Sequence, residues 1–484
     1  MKNYLRTILL AFCCALTLFS QDYQVTKQAP SSVAAPSIDF SNNLIHLAYG
    51  TNLFYYSFGV DGPPTPITTP VKPDPLSYGP YTVSMRANGD NRYLTYIDRN
   101  VSLQRYDLLF QNSSNGLLWS SPMILETIQK SNSISLRPDN PILRTSAKGN
   151  VYCLYLNYSD TNKIFLVRSS GGGNSFNVKT RIAPLDTNLV EKMTLEMQVV
   201  AVGGTDNVFV FYSVGANIYM TRSINEGISF SSPAKVGSLD NADFGNFYSL
   251  SAALSSAGKI YLVCDQFGQA IPMLNRSKAF IRSSNNYGVD WSTGGTIDTL
   301  GYVNPKLLLT NTGTIACIKQ RQNNIYILSS KNGITWSDTI RINTVPQKAF
   351  KHTVTLIDDN TIGVAWIDTR TGGDEIFYRK MTIPATPVTK VDDISLPSEF
   401  MLYQNYPNPF NPTTTISYQL SVSDHVSLKV FDMLGKEVAA LVNETNDAGT
   451  HSAQFNAANL SSGMYFARLS SSGKTQIRKL LLMK

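Results

Sequence analysis

A few residues in this chain could do chemistry by their type and place. Arg86, Arg137 and Arg144 stand near the starts of β-rich runs, and Glu191 and Glu196 open another. Guanidinium forks in such positions would hold a carboxylate bidentately. A neighbouring carboxylate would act as acid or base. Tyr248, in YSLSAALSS, offers a phenol in a comparable place, and Asp368 and Arg370 sit in WIDTR just before a Gly-Gly turn. Those two can pair across the turn or face a ligand. Asp368, Arg370, Tyr248, Glu196 and Arg137 are therefore binding candidates, but each also fits a surface or strand-end role, and no catalytic residue is assigned. The 4 histidines, His46, His352, His425 and His451, are far apart, so no metal site and no cofactor is expected. The run Gly171-Gly172-Gly173 lacks the Lys and helix of a phosphate loop.

These residues must be positioned by β structure. Of 484 residues only 15% are charged while 11% are aromatic, with 25 Tyr and 22 Phe. That composition excludes a disordered or helix-rich chain and suits pleated sheets. The net charge of +7 is diffuse, which gives no support to nucleic-acid binding. A unit of β-rich runs ending in a polar turn recurs from about residue 30 to 385. The turns align at 112–119 (NSSNGLLW), 169–176 (SSGGGNSF), 223–230 (SINEGISF), 284–291 (SNNYGVDW) and 329–336 (SSKNGITW). Gly116, Gly173, Gly227, Gly288 and Gly333 supply positive φ in a tight hairpin. Trp119, Phe176, Phe230, Trp291 and Trp336 close the turns over apolar area, using three of the 4 Trp in the chain. Two further units, near Pro36 and at 352–380, lack a good copy of the turn and bring the count to seven.

The turns resemble the Asp-box (bacterial neuraminidase repeat) of sialidase-like β-propellers, whose pattern is Ser-x-Asp-x-Gly-x-Thr-Trp. The third position here holds Ser114, Gly171, Asn225, Asn286 and Lys331. In that family the box is a structural staple on the blade rim. The resemblance implies an all-β fold, a six- or seven-bladed β-propeller with seven preferred, whose ring closes by pairing an N-terminal strand with the last unit. A sialidase would bring three Arg for the substrate carboxylate, a Tyr nucleophile with its Glu, and an Asp acid. The family's Arg-Ile-Pro motif has no counterpart, because QAPSSVAAPSIDF contains no Arg.

Both ends read as addresses. Residues 1–20 combine basic Lys2 and Arg6 with an apolar run too short to span a bilayer, which is the pattern of a signal peptide. No later run is long enough to cross a membrane. The three remaining cysteines, Cys153, Cys264 and Cys317, lie in apolar runs and read as buried hydrophobes. The propeller is expected over 21–383 and a Pro/Thr linker over 384–400. Residues 401–484 are expected to form a small Ig-like β-sandwich, with Gly435 and Gly463 in hairpin turns. Leu428, Val430, Phe431, Met464, Phe466 and Leu469 are its expected apolar faces. The stretch Asn405-Tyr406-Pro407-Asn408-Pro409-Phe410-Asn411-Pro412, the run 430–435 (VFDMLG) and Gly463-Met464-Tyr465 closely resemble the type A C-terminal sorting domain of the type IX secretion system. That resemblance implies the secretion translocon as partner and a secreted or cell-surface location. Three functions stay open: an exported propeller that binds glycan or protein without catalysis, a diverged sialidase-type exo-glycosidase, and a structural or adhesive surface protein.

Overall fold

The computed structural model describes residues 22–26, 35–50, 53–60, 67–70, 82–100, 103–129, 141–157, 163–182, 193–214, 217–238, 244–268, 277–292, 295–298, 303–386, 400–405, 408–420, 424–446 and 449–483. The expected signal segment, Arg137, Glu191, Tyr406 and Pro407 lie outside them. Two compact units divide the chain, residues 1–387 and 388–484.

The first unit contains seven four-stranded antiparallel sheets. Six of them are meanders in which sequential strands are neighbours, and the seventh takes its outermost strand from the N-terminal segment. Blade 1 runs from Ser37–Ser41 to Ile67–Pro70. The innermost strands of blades 2 to 7 are Val83–Asn88, Ile142–Thr145, Leu195–Val202, Phe244–Leu254, Val303–Leu309 and Ala349–Asp358. The middle strands are apolar on both faces, as in Val151–Asn157 (VYCLYLN), where every residue is buried. A blade is covered by a neighbour on each side, so its middle strands read as continuous hydrophobic runs.

Packing closes the ring. Seven hydrophobic clusters each join a pair of neighbouring blades: 1 to 2, 2 to 3, 3 to 4, 4 to 5, 5 to 6, 6 to 7, and 7 back to 1. The architecture is a seven-bladed β-propeller. The fourth strand of blade 7 comes from the N-terminus, where Tyr23 and Gln24 pair with Tyr378 and Phe377. This clasp is anchored by charge. Asp22 meets the Arg370 guanidinium at 2.9 Å and accepts a hydrogen bond of 2.9 Å from the Thr344 N–H. Thr26 donates to Glu375 through its hydroxyl and accepts from the Ile376 N–H at 3.0 Å. Closure by a single strand removes the open edge that an incomplete ring would present.

The polar turns bolt blades together. Gly116, Gly173, Gly227, Gly288 and Gly333 all have positive φ, between 73° and 85°. In every one the glycine N–H donates to a serine hydroxyl, on Ser113, Ser169, Ser223, Ser284 and Ser330 respectively. In four turns an Asn two residues after that serine accepts from backbone N–H groups further on: Asn115, Asn225, Asn286 and Asn332. Alignment on the glycine had placed Ser114 and Lys331 at this position. The first and fifth turns are in fact one residue shorter, so the amide sits directly before the glycine. The closing aromatics also reach further than their own hairpins. Trp119 packs edge-on against Tyr55 of blade 1 at 5.3 Å, and Phe176 against Phe110 of blade 2 at 4.8 Å.

The second unit, taken by itself, is a sandwich. Met401–Leu402, Thr413–Leu420 and Gly449–Asn456 form one sheet. Glu437–Asn446, Asp424–Phe431, Gly463–Ser471 and Lys474–Leu482 form the other. Its core holds Leu402, Ile416, Phe455, Leu428, Leu469 and Leu480, among others. Along the strand from Gly463 the buried residues are Tyr465, Ala467 and Leu469, while Met464 and Phe466 are only half-buried. Of the expected Met464, Phe466 and Leu469, only Leu469 points into the core, because alternate residues point to opposite sides. Gly435 lies in the turn closed by its N–H to the Asp432 carbonyl at 3.1 Å, whereas Gly463 opens a strand.

Candidate functional site

Innermost propeller strands are edges, with N–H groups that no sheet partner fills. Side chains of the preceding blade fill several of them here. Ser37 accepts from the Met85 N–H at 2.9 Å, Ser84 from Leu143 at 3.0 Å and Ser251 from Leu307 at 3.0 Å. Asp39 accepts from the Ala87 N–H at 2.8 Å, and Asp265 from the Asn304 N–H at 2.8 Å. This stitching holds the seven strands around a central cavity of about 640 Å³ that all seven line. The volume falls in the range of small-molecule sites.

Charged side chains from five blades face this cavity. They are Asp39, Arg86, Arg144, Glu196 and Lys306, and the buried imidazole of His352 joins them. Arg144 and Glu196 form an ion pair at 2.7 Å. Glu196 also accepts from the Met197 N–H at 3.0 Å and the Gln198 amide at 3.2 Å. Arg86 donates to the Met85 carbonyl at 2.7 Å and pairs with no described carboxylate. Burial holds its guanidinium down to about 10, helped by Arg144 and opposed by Asp39 and Glu196. Burial likewise lowers the Lys306 ammonium, against the pull of Glu196 and Asp265. Asp265 is raised by burial, although Ser249 and Asn304 hydrogen-bond it.

His352 is nearly fully buried, and neither ring nitrogen makes a hydrogen bond of good geometry. Burial first, then Lys306, lowers it to about 3, with the Ile318 backbone pulling weakly the other way. His46 is lowered to about 3 by burial and by Arg92, against the Ser41 backbone. Both imidazoles are neutral in the folded chain and take up a proton near pH 6.5 when it unfolds. Their contribution is full above pH 6.5 and is lost as pH falls toward 3. Between pH 6.5 and 5 the His352→Gln variant should show a stability slope shallower by up to about 1.4 kcal/mol per pH unit. Denaturant titrations at several pH values check this, and an unchanged slope would contradict it.

The sequence candidates divide sharply. Glu196, Arg86 and Arg144 converge on the cavity. Asp368 and Arg370 do not line it: Arg370 bonds Asp368 at 2.5 Å, stacks over the Phe377 ring at 4.1 Å and holds the N-terminal clasp. Tyr248 is on the innermost strand of blade 5, in the part whose side chains lie outside the described set. No described residue lining the cavity is a tyrosine. A described Tyr–Glu pair does exist, Tyr155 donating to Glu126 at 2.9 Å, but Glu126 is on the outermost strand of blade 2. Lys306 and His352 were missed by sequence reasoning. Lys306 follows a Pro in a run of aliphatic residues and His352 stands alone in sequence, so only the ring brings them together. Cys153, Cys264 and Cys317 are buried, and burial pushes the Cys153 and Cys264 thiols up to about 12. Among the described residues no His/Cys/Asp/Glu group could hold a metal ion.

In the second unit the Asn-Pro-rich stretch sews the last strand down. Asn408 accepts from the Leu481 N–H at 2.8 Å, and Phe410 exchanges backbone bonds with Leu481 and Met483 at 2.9 and 3.0 Å. Buried Asn405 donates to the Thr414 hydroxyl at 2.9 Å. Tyr465 donates to the Ser461 carbonyl at 2.7 Å. A family model, the secretion system C-terminal sorting domain, matches residues 404–483. The C-terminal unit is a type IX sorting domain. The sorting domain marks the chain for export to the cell surface or for secretion. No helix among the described residues is long and apolar enough to cross a membrane.

Comparison with solved structures concerns the propeller. An ulvan lyase of polysaccharide lyase family PL25, bound to -[GlcA(1-4)Rha3S]-, is 11% identical with a TM-score of 0.51, covering 74% of this chain and 96% of that one. An α-L-arabinanase of Penicillium chrysogenum is 11% identical with a TM-score of 0.43, covering 75% and 98%. The NanB sialidase of Streptococcus pneumoniae is 12% identical with a TM-score of 0.41, covering 74% and 70%. At such identities the likeness is one of fold. No curated protein matches the chain.

Proposed function

We propose that this protein is exported by the type IX pathway, with a signal peptide at its N-terminus, to present a propeller whose central channel binds a saccharide without turning it over. The observation that carries the reading is the channel itself. All seven innermost strands line it, and Ser249, Ser251, Thr194, Gln198 and Asn304 offer the hydroxyl and amide groups that sugars bond. The ulvan lyase of similar fold is bound to a saccharide, which supports the ligand class. Against catalysis stand the engagement of Glu196 by Arg144 and the peripheral position of the Tyr155–Glu126 pair. The capped turns on the blades keep a structural role, and the translocon is the partner of the sorting domain.

A glycan array probed with the full chain tests this reading. At least one glycan should bind, and Gln198→Trp, at a half-buried position of the channel wall, should abolish that binding while the protein stays folded by circular dichroism. Fluorogenic sialosides should release no fluorophore. Steady turnover lost in Tyr248→Phe would establish the exo-glycosidase reading in its place. Glycan binding that survives Gln198→Trp would move the site to the outer surface and favour the adhesive one.

A further inference from the structure

The cations of the channel wall are unevenly matched to carboxylates. Arg86, Arg144 and Lys306 line the cavity with Asp39 and Glu196, and a third carboxylate, Asp265, pulls on Lys306. Glu196 is committed to Arg144. Asp39 spends its oxygens on the Phe40 and Ala87 N–H groups at 2.9 and 2.8 Å, with Thr355 at 3.4 Å. Arg86 therefore keeps donors beyond the one given to Met85, and Lys306 pairs with no described carboxylate. His352, which lines the same cavity, keeps two ring nitrogens without a good partner although it is only 2% exposed. A buried imidazole left without a partner is costly, and with half-buried Arg86 and Lys306 in the same wall an ionised oxygen is the group that suits the set best. These groups line one and the same cavity.

We propose that Arg86, Lys306 and His352, from three different blades, form a seat for the oxyanion of an acidic sugar, a uronate carboxylate or a sulfate ester. This rests on the channel being a saccharide site and adds the chemical class. Serine, threonine and amide groups around the seat bond sugar hydroxyls. The described lining holds no aromatic ring apart from the imidazole of His352. Arg86 and Lys306 supply charge. The imidazole supplies one N–H donor in its neutral form and orients the bound oxygen.

Calorimetric titration of the full chain with glucuronate, glucose 6-sulfate, glucose, inorganic sulfate and an oligoglutamate peptide tests the seat. At least one acidic sugar should bind about tenfold or more tightly than glucose, which is about 1.4 kcal/mol. Arg86→Met and Lys306→Met should each erase that preference by weakening the acidic sugar about tenfold. Lys306→Arg should keep it. Thermal melts of each variant confirm folding. A preference that survives Arg86→Met and Lys306→Met overturns the seat, as does equal affinity for glucose and both acidic sugars. The channel reading stands in those cases because glucose still binds. Absence of binding by every sugar defeats both. Inorganic sulfate or an oligoglutamate peptide binding more tightly than the acidic sugars overturns the sugar assignment. The relative strength of glucuronate and glucose 6-sulfate tells carboxylate from sulfate ester.

Discussion

Gly116→Ala is expected to cost about 2–5 kcal/mol of folding stability, as one of the most damaging single-methyl changes in the propeller. Two effects add. At φ +73° an L side chain is strained by about 1–2 kcal/mol. The new Cβ would also stand 2.6 Å from Tyr55 Cε1 and 2.8 Å from its hydroxyl. Tyr55 cannot easily withdraw. It is almost fully buried, bonds His46 Nδ1 at 2.7 Å, receives Arg92 Nε at 3.2 Å and packs on Trp119. Relief must come from moving blade 1 against blade 2, at about 1–3 kcal/mol. Gly313→Ala is the control, because its φ is +78° but nothing lies within 4 Å of an added Cβ. It should lose only the strain. Chemical denaturation of both variants decides the point. Equal losses would show that the turn acts through its own conformation and does not bolt the blades.

Deleting residues 401–484 is expected to reduce delivery to the cell surface and medium at least tenfold while the propeller still folds. The propeller's hydrophobic clusters are its own, with no residue from the second unit. Truncation therefore removes the address and leaves the cargo. Cell fractionation with immunodetection gives the measurement, and accumulation of folded propeller inside the outer membrane is the expected picture. Undiminished surface or medium protein would overturn the sorting role. Phe410→Ala in the intact chain gives a milder version. Phe410 is 2% exposed and packs at 5.9 Å on Phe455, so its loss loosens the stretch that holds the last strand.

Much of this architecture was legible in the residues. Glycine and an aromatic at a fixed offset gave the turns, and continuous apolar runs such as VYCLYL gave middle strands. The Asn-Pro-rich stretch gave the C-terminal unit. Less was legible where distance in sequence hides proximity in space. Serines 37, 84 and 251 look like ordinary strand residues, yet each fills an N–H of the next blade. The cavity charges are spread along the chain from Asp39 to His352, one to a blade, and no local motif connects Arg86 to His352. The Trp-Ile-Asp-Thr-Arg segment attracted notice for its chemistry. Its Arg370 is instead the counter-ion of a clasp residue, Asp22, whose role depends on ring closure. Turn length was the finer miss, because aligning on glycine concealed that Ser113 and Ser330 are the capping serines.

The central claim is that the ring's inner channel is where ligand binds. The most direct measurement is a crystal structure of the full chain with the tightest oligosaccharide from the array. Sugar density inside the ring, within hydrogen-bond distance of Gln198 or Ser251 and with any acidic group against Arg86 and Lys306, is the result expected. Sugar bound on the outer turns around Gly116, Gly227 or Gly333, with the channel holding none, would contradict it.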